Sequence, residues 1–215
     1  MFALRVVVAS GKAALLTLTH VDEHWLCKWS EESAPWAGVF GVRQPLNALS
    51  AIAAIFAYRC ARRVKTENAL SFPNHVGCYA NLVASAIAHA KGLQVAVWVD
   101  GNSLLYMTMI PVLRIAVMDR SALAVAAVHV VLVCSITINM DVSIAAAILS
   151  LLTCILCRRD GTRASKRHAL RGAVHLFLGM WFWAADVAAG MQFAHVAWHI
   201  IGAIGAAALL DALAS

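Results

Sequence analysis

The chain has 215 residues, of which 62% are hydrophobic and only 13% are charged. A soluble globular domain carries about 25% charged residues. The composition therefore excludes a disordered chain, a basic nucleic-acid-binding domain and a disulfide-rich scaffold. It is typical of an integral membrane protein. The net charge of +6 arises mainly from basic residues between apolar runs, as in the cytoplasmic loops of membrane proteins.

The first 43 residues differ from the rest of the chain. No apolar run here reaches the roughly 20 residues that a transmembrane helix needs. The later part of this segment is polar and rich in tryptophan, a residue that favours the membrane–water interface. We therefore predict an N-terminal arm and interfacial loop over residues 1–43, followed by a membrane domain over residues 44–215.

Seven apolar runs make up the membrane domain. They cover residues 44–58, 73–91, 94–118, 121–140, 142–157, 172–190 and 193–214. Because backbone in hydrocarbon must satisfy its own hydrogen bonds, each run is expected to be a helix. The runs predict an all-α, seven-helix transmembrane bundle in a multi-pass protein. The loops after the first, third and fifth runs hold 12 of the 17 basic residues, which places the N-terminus outside and the C-terminus in the cytoplasm.

Ionisable side chains inside a membrane span are costly and mark functional sites. On the second predicted helix, Ser85 and His89 lie four residues apart, and His195 and His199 repeat that spacing on the seventh. Residues four apart share one face of a helix. Under the predicted orientation, one outer layer of the bundle holds Ser85, His89, Asp100, Asp186, His195 and His199.

Three imidazoles with a fourth position open are the ligand set of a catalytic zinc ion. We predict that His89, His195 and His199 bind zinc, which makes hydroxide available near neutral pH. Asp100 would take a proton from water and return it to a leaving amine. Ser85 would hydrogen-bond the oxyanion that develops on an attacked carbonyl. This set is sufficient for hydrolysis of an amide or an ester.

Each residue also has a purely structural interpretation. A single buried histidine can hydrogen-bond another helix, Asp100 can cap a helix beside Gly101, and Asp186 can tie helices together. Convergence in one layer favours the metal site over these alternatives. We further predict that Asp186 and Trp198 support the metal ligands, and that His75, in a polar stretch, is solvated.

The spacing of these residues resembles that of the alkaline ceramidases. The motifs are Ser85-x3-His89-x10-Asp100, Trp183-x-x-Asp186 and His195-x3-His199. The segment Gln44–Ser50 is similar to the start of the first helix in bacterial-type ceramidase-domain proteins. Alkaline ceramidases share a superfamily of seven-helix membrane hydrolases with the progestin and adiponectin receptors.

The resemblance implies a zinc-dependent amide hydrolase that cleaves a ceramide-like N-acyl sphingolipid to a fatty acid and a sphingoid base. The expected partner is a membrane lipid substrate, with no nucleic acid. Calcium, which that family also binds, is not expected here. Lys28 and Gln44 stand where acidic ligands would lie, and calcium prefers carboxylates.

Two other functions remain open. A non-enzymatic lipid-binding receptor or scaffold would keep zinc for structure and would release no fatty acid. A transporter or channel would need a polar path across both halves of the membrane. The cytoplasmic halves of the predicted helices are nearly all apolar, which argues against a transporter.

Overall fold

The computed structural model describes residues 37–64, 71–93, parts of 95–107 and of 148–156, 161–189, 191 and 193–215. Helices dominate these residues, and no strand occurs among them, in agreement with the all-α prediction. The long helices are α1 (Pro45–Ala61), α2 (Ser71–Lys91), α3 (Arg163–Ala189) and α4 (Ala194–Ala214). Residues 1–36 of the predicted arm and interfacial loop, the whole fourth predicted helix, and most of the third and fifth predicted helices lie outside the described residues.

Helix α3 begins at Arg163 rather than at the predicted residue 172. The Thr162 hydroxyl accepts a hydrogen bond from the Ser165 backbone N–H at 3.0 Å, which caps the first turn. The basic residues from 163 to 171 therefore lie on a helix and not in a loop. The prediction was wrong here because it followed the apolar run, whereas a capped helix can continue past its apolar part.

Helices α3 and α4 pack closely because glycine lies at their interface. A Cβ atom on Gly205 would lie 2.8 Å from Leu176 Cγ, and one on Gly172 would lie 3.1 Å from the Gly205 carbonyl oxygen. Small residues of this kind let two helix backbones approach. Helix α4 also contacts α1 and α2, so it is the central element of the described part.

One helix in the described part, α4, is long and apolar enough to cross a membrane, and α1 is apolar but has 17 residues. The same length and composition occur in the core helix of a soluble protein. Large apolar side chains are nevertheless exposed on the outer faces of α1, α2 and α3. Examples are Leu49, Phe56, Phe72, Val174 and Trp181.

The C-terminal end of α4 holds a buried ion pair. The Asp211 carboxylate, with 0% of its side chain exposed, accepts a hydrogen bond from Arg62 Nε at 3.0 Å. It also accepts from the backbone N–H groups of Arg63 and Val64, at 2.8 and 3.1 Å. The carboxylate thus joins the end of α1 to α4.

The same cluster extends to helix α2. Tyr58 Oη lies 2.7 Å from His75 Nδ1, and Arg62 Nη1 lies 3.0 Å from the same nitrogen. His75 is half-buried and hydrogen-bonded, so the prediction that it is solvated was wrong. The helices were predicted to be nearly all apolar at the end away from the histidines. This end instead contains buried polar groups that bond to one another.

Candidate metal centre

Three buried histidines converge at the opposite end of α4. His195 and His199 lie one turn apart on α4, and His89 comes from the last turns of α2. One ring nitrogen from each lies within 4.8 Å of the others. The Nε2 atoms of His89 and His199 are 3.3 Å apart. Nitrogen ligands at the usual zinc distance are about 3.3 Å apart in a tetrahedral site, so this spacing fits zinc.

Two of the histidines place Nδ1 next to an acceptor outside the cluster. His89 Nδ1 lies 2.6 Å from Gln44 Oε1, and His195 Nδ1 lies 3.2 Å from Asp186 Oδ2. An amide oxygen and a carboxylate oxygen only accept hydrogen bonds. His89 Nδ1 therefore carries the hydrogen, and His89 Nε2 carries the lone pair that a metal requires. The approach of His195 to Asp186 is an ion-pair contact without hydrogen-bond geometry.

The third histidine has the same arrangement with a hydroxyl partner. Ser50 Oγ lies 2.7 Å from His199 Nδ1. The Ser50 hydroxyl hydrogen is already donated to the Asn47 carbonyl oxygen at 2.9 Å, so Ser50 accepts from His199. His89 and His199 thus have Nδ1–H on an outer partner, and His195 Nδ1 faces the Asp186 carboxylate at 3.2 Å. Outer partners of this kind are usual for histidines that bind metal. The donor set fits a divalent transition metal.

The predicted catalytic pair lies beside this cluster. Ser85 Oγ is 3.3 Å from His199 Nε2, and the Ser85 hydroxyl hydrogen-bonds the Asp100 side chain. Asn81 Nδ2 donates to Asp100 Oδ1 at 2.8 Å and to the Asp100 backbone oxygen at 2.7 Å. A hydroxyl and a carboxyl group are therefore held next to the metal-ligand atoms.

The two predicted supporting residues have different positions. Asp186 contacts His195 directly, as described above. Trp198 lies on the wall of the cavity next to the histidines. Its ring packs against Gly179, where an added Cβ would come within 2.8 Å of Trp198 Cε3. Trp198 therefore shapes the cavity and the α3–α4 contact.

Sequence reasoning missed Asn81, Gln44 and Ser50 as members of the site. Asn81 precedes Ser85 by four residues on α2, so helical spacing could have identified it. Gln44 and Ser50 lie in the segment that carries the family resemblance, yet Gln44 was considered only as a lost calcium ligand. Their contacts with histidines on α2 and α4 depend on tertiary packing that the sequence pattern does not encode.

A cavity of about 140 Å³ opens from the metal centre into the bundle. One end is polar and contains Ser85, Asp100, His195 and His199. The rest of the lining is mainly apolar and includes Leu82, Met107, Leu176, Ala203 and Ala206, with Tyr58 and Asn74 as polar members. The wall formed by α4 runs from His195 to Leu209, a rise of about 20 Å along a helix. The cavity therefore joins the polar groups at the histidines to a mainly apolar interior.

Comparisons of the sequence with models of known families and with curated proteins, and a comparison with solved structures, give no match.

Proposed function

We propose that the chain is a multi-pass membrane hydrolase that uses zinc to cleave the amide bond of a ceramide-like N-acyl lipid. The observation that carries the proposal is the position of Ser85 and Asp100 beside three converging histidines, at the polar end of an apolar cavity. Hydroxyl, carboxyl and metal-ligand groups are the components of metal-assisted amide hydrolysis.

The metal would be held by Nε2 of His89, His195 and His199, and when bound it supplies Lewis acidity and acidifies water. The Ser85 hydroxyl is placed to turn from Asp100 and donate to the carbonyl oxygen as negative charge develops there. The Asp100 carboxyl would accept a proton from water and return it to the leaving amine nitrogen. Asn81 holds Asp100 in place by donating one hydrogen bond to its carboxyl group and one to its backbone oxygen.

The shape of the cavity supports an acyl lipid as substrate. A polar end followed by an apolar middle matches an amide headgroup attached to a hydrocarbon chain. Burial of the chain stabilises the complex by about 0.8 kcal/mol for each methylene group. The sphingoid part of the substrate is taken from the resemblance to alkaline ceramidases.

The outer surface supports residence in a bilayer. Large apolar side chains are exposed along α3 at Leu170, Val174 and Trp181, on one helix face by their spacing. The N-terminal turns of α3 are basic and exposed at Arg163 and Arg167. An apolar face that ends in basic residues matches a hydrocarbon core next to an anionic headgroup layer.

The site favours an enzyme over the two alternatives. A structural zinc site is usually closed by four protein ligands, whereas the described residues of the cluster offer three histidines beside Ser85 and Asp100. A transporter needs polar groups along its path. The described lining beyond the site is mainly apolar, as at Leu82, Ala203 and Ala206, and its polar members Tyr58 and Asn74 are hydrogen-bonded within the protein.

The test is release of fatty acid from N-acyl sphingosines by protein purified in detergent. We expect turnover by the wild type, and loss of turnover with His199→Ala and with Asp100→Asn. Asp100→Asn should still bind zinc, because Asp100 is not a ligand. Ser165→Ala is the matched control, since Ser165 is buried far from the site and bonds the Ala212 carbonyl at 2.7 Å. Full turnover with His199→Ala would refute the mechanism, and zinc binding without turnover of any N-acyl lipid would favour the receptor.

A further inference from the structure

We infer that Gln44 and Ser50, at the start of helix α1, are positioning residues that determine which nitrogen of His89 and His199 faces the metal. The inference rests on the proposed metal site and adds residues that touch neither metal nor substrate. It predicts that the first two turns of α1 affect metal affinity through His89 and His199.

Gln44 holds His89 through both its backbone and its side chain. The Gln44 backbone N–H donates to the His89 carbonyl oxygen at 3.0 Å, and Oε1 accepts from His89 Nδ1 at 2.6 Å. Asn47 Nδ2 donates to the same Oε1 at 3.3 Å, which fixes the orientation of the amide. Gln44 is 1% exposed, so protein groups rather than bulk water decide its hydrogen bonds.

Ser50 plays the same part for His199. Its hydroxyl donates to Asn47 and therefore presents a lone pair to His199 Nδ1 at 2.7 Å. Ser50 lies on the buried side of α1, with 6% of its surface exposed. Asn47 contacts both positioning residues, so α1 acts on the two rings as one unit.

The chemical consequence follows from the two forms of neutral imidazole. When Nδ1 carries the hydrogen, Nε2 has the lone pair that binds a metal; when the hydrogen moves to Nε2, that nitrogen cannot bind. Removing the acceptor at Nδ1 allows the second form and lets the ring rotate. Loss of such an outer partner lowers metal affinity by about 10–100-fold.

The variants distinguish the effect of losing the hydrogen-bond acceptor at Nδ1 from the effect of changing the shape of the side chain. Gln44→Met keeps a similar length but removes the oxygen, whereas Gln44→Glu keeps an oxygen that accepts from Nδ1. Ser50→Ala removes the hydroxyl, and Ser50→Thr retains it. Ser165→Ala removes a buried serine hydroxyl that bonds the Ala212 carbonyl, and controls for the general effect of losing such a hydrogen bond.

The experiment measures zinc affinity by competition with a chromogenic chelator on full-length protein in detergent. The visible absorption of bound Co²⁺ then reports the coordination geometry. We expect Gln44→Met and Ser50→Ala to bind zinc about 10–100-fold more weakly and to alter the Co²⁺ spectrum. Gln44→Glu, Ser50→Thr and Ser165→Ala should stay near the wild type.

The outcomes separate this inference from the proposed function. Wild-type affinity in both Gln44→Met and Ser50→Ala, with zinc bound by the wild type, would overturn the inference and leave the metal site intact. Equal losses in the acceptor-retaining variants would also overturn it, because the effect would then be structural. Absence of zinc from the wild-type protein would instead overturn the proposed function itself.

Discussion

Replacing Asp211 with alanine should destabilise the protein strongly, although Asp211 lies at the opposite end of α4 from the metal centre. The Arg62–Asp211 pair has side-chain exposures of 6% and 0%. Further neighbours of the guanidinium in the described part include the neutral Tyr58 hydroxyl, the Val64 carbonyl and the His75 ring. Asp211→Ala therefore removes the buried carboxylate that bonds this buried guanidinium.

The size of the effect follows from this burial. Removing one member of a buried ion pair costs about 3–5 kcal/mol, which lowers the melting temperature of a chain of this size by about 6–20 °C. The double variant Arg62→Met/Asp211→Ala removes the charge as well. It should be more stable than Asp211→Ala, because an ion pair replaced by apolar groups is often close to neutral.

The assay is thermal unfolding in detergent, followed by helical circular dichroism. Ser165→Ala, at the same end of the bundle, calibrates the loss of one neutral hydrogen bond, worth about 1 kcal/mol. A shift for Asp211→Ala no larger than that of Ser165→Ala would refute the reasoning. So would a double variant that is less stable than the single variant.

Three further predictions concern the site and the helix packing. Asp100→Asn should lower kcat by about 10²–10⁴-fold, the usual contribution of a general acid–base group, with zinc content by elemental analysis unchanged. Asn81→Leu removes two hydrogen bonds to Asp100 and should lower kcat by about 10–100-fold; unchanged kcat would exclude a positioning role. Gly205→Ala places a Cβ 3.1 Å from the Leu176 backbone nitrogen and should cost about 1–3 kcal/mol. An unchanged melting temperature would show that α3 and α4 are less closely packed than described. The control is Ala184→Val, at an exposed position of α3.

The helices near the site could be predicted because their apolar runs are bounded by clear signals. Pro45 stands at the first position of α1, and α2 ends at Lys91, just before Gly92, a glycine with positive φ that favours a helix end. The start of α3 could not be predicted from such signals. Its first turns are stabilised by the Thr162 cap and by Ser165 bonding to α4, which an apolar pattern does not record.

The histidines of the candidate site could be predicted from sequence spacing, whereas the residues that bond their Nδ1 atoms could not. An interval of four residues places His195 and His199 on one helix face whatever the tertiary fold. The bonds from Gln44 to His89 and from Ser50 to His199 join residues far apart in sequence. The buried pair Arg62–Asp211 was missed for the same reason, because each residue alone resembles an ordinary charge at a helix end.

The most direct test of the central claim is the metal content of the purified protein, measured by elemental mass spectrometry for the wild type and His195→Ala. Purification would avoid chelators and metal-affinity resin. The three converging histidines predict about one zinc ion per chain in the wild type and its loss in the variant. A wild type without zinc, or equal zinc in both proteins, would contradict the account and leave the histidines as hydrogen-bonding groups between helices.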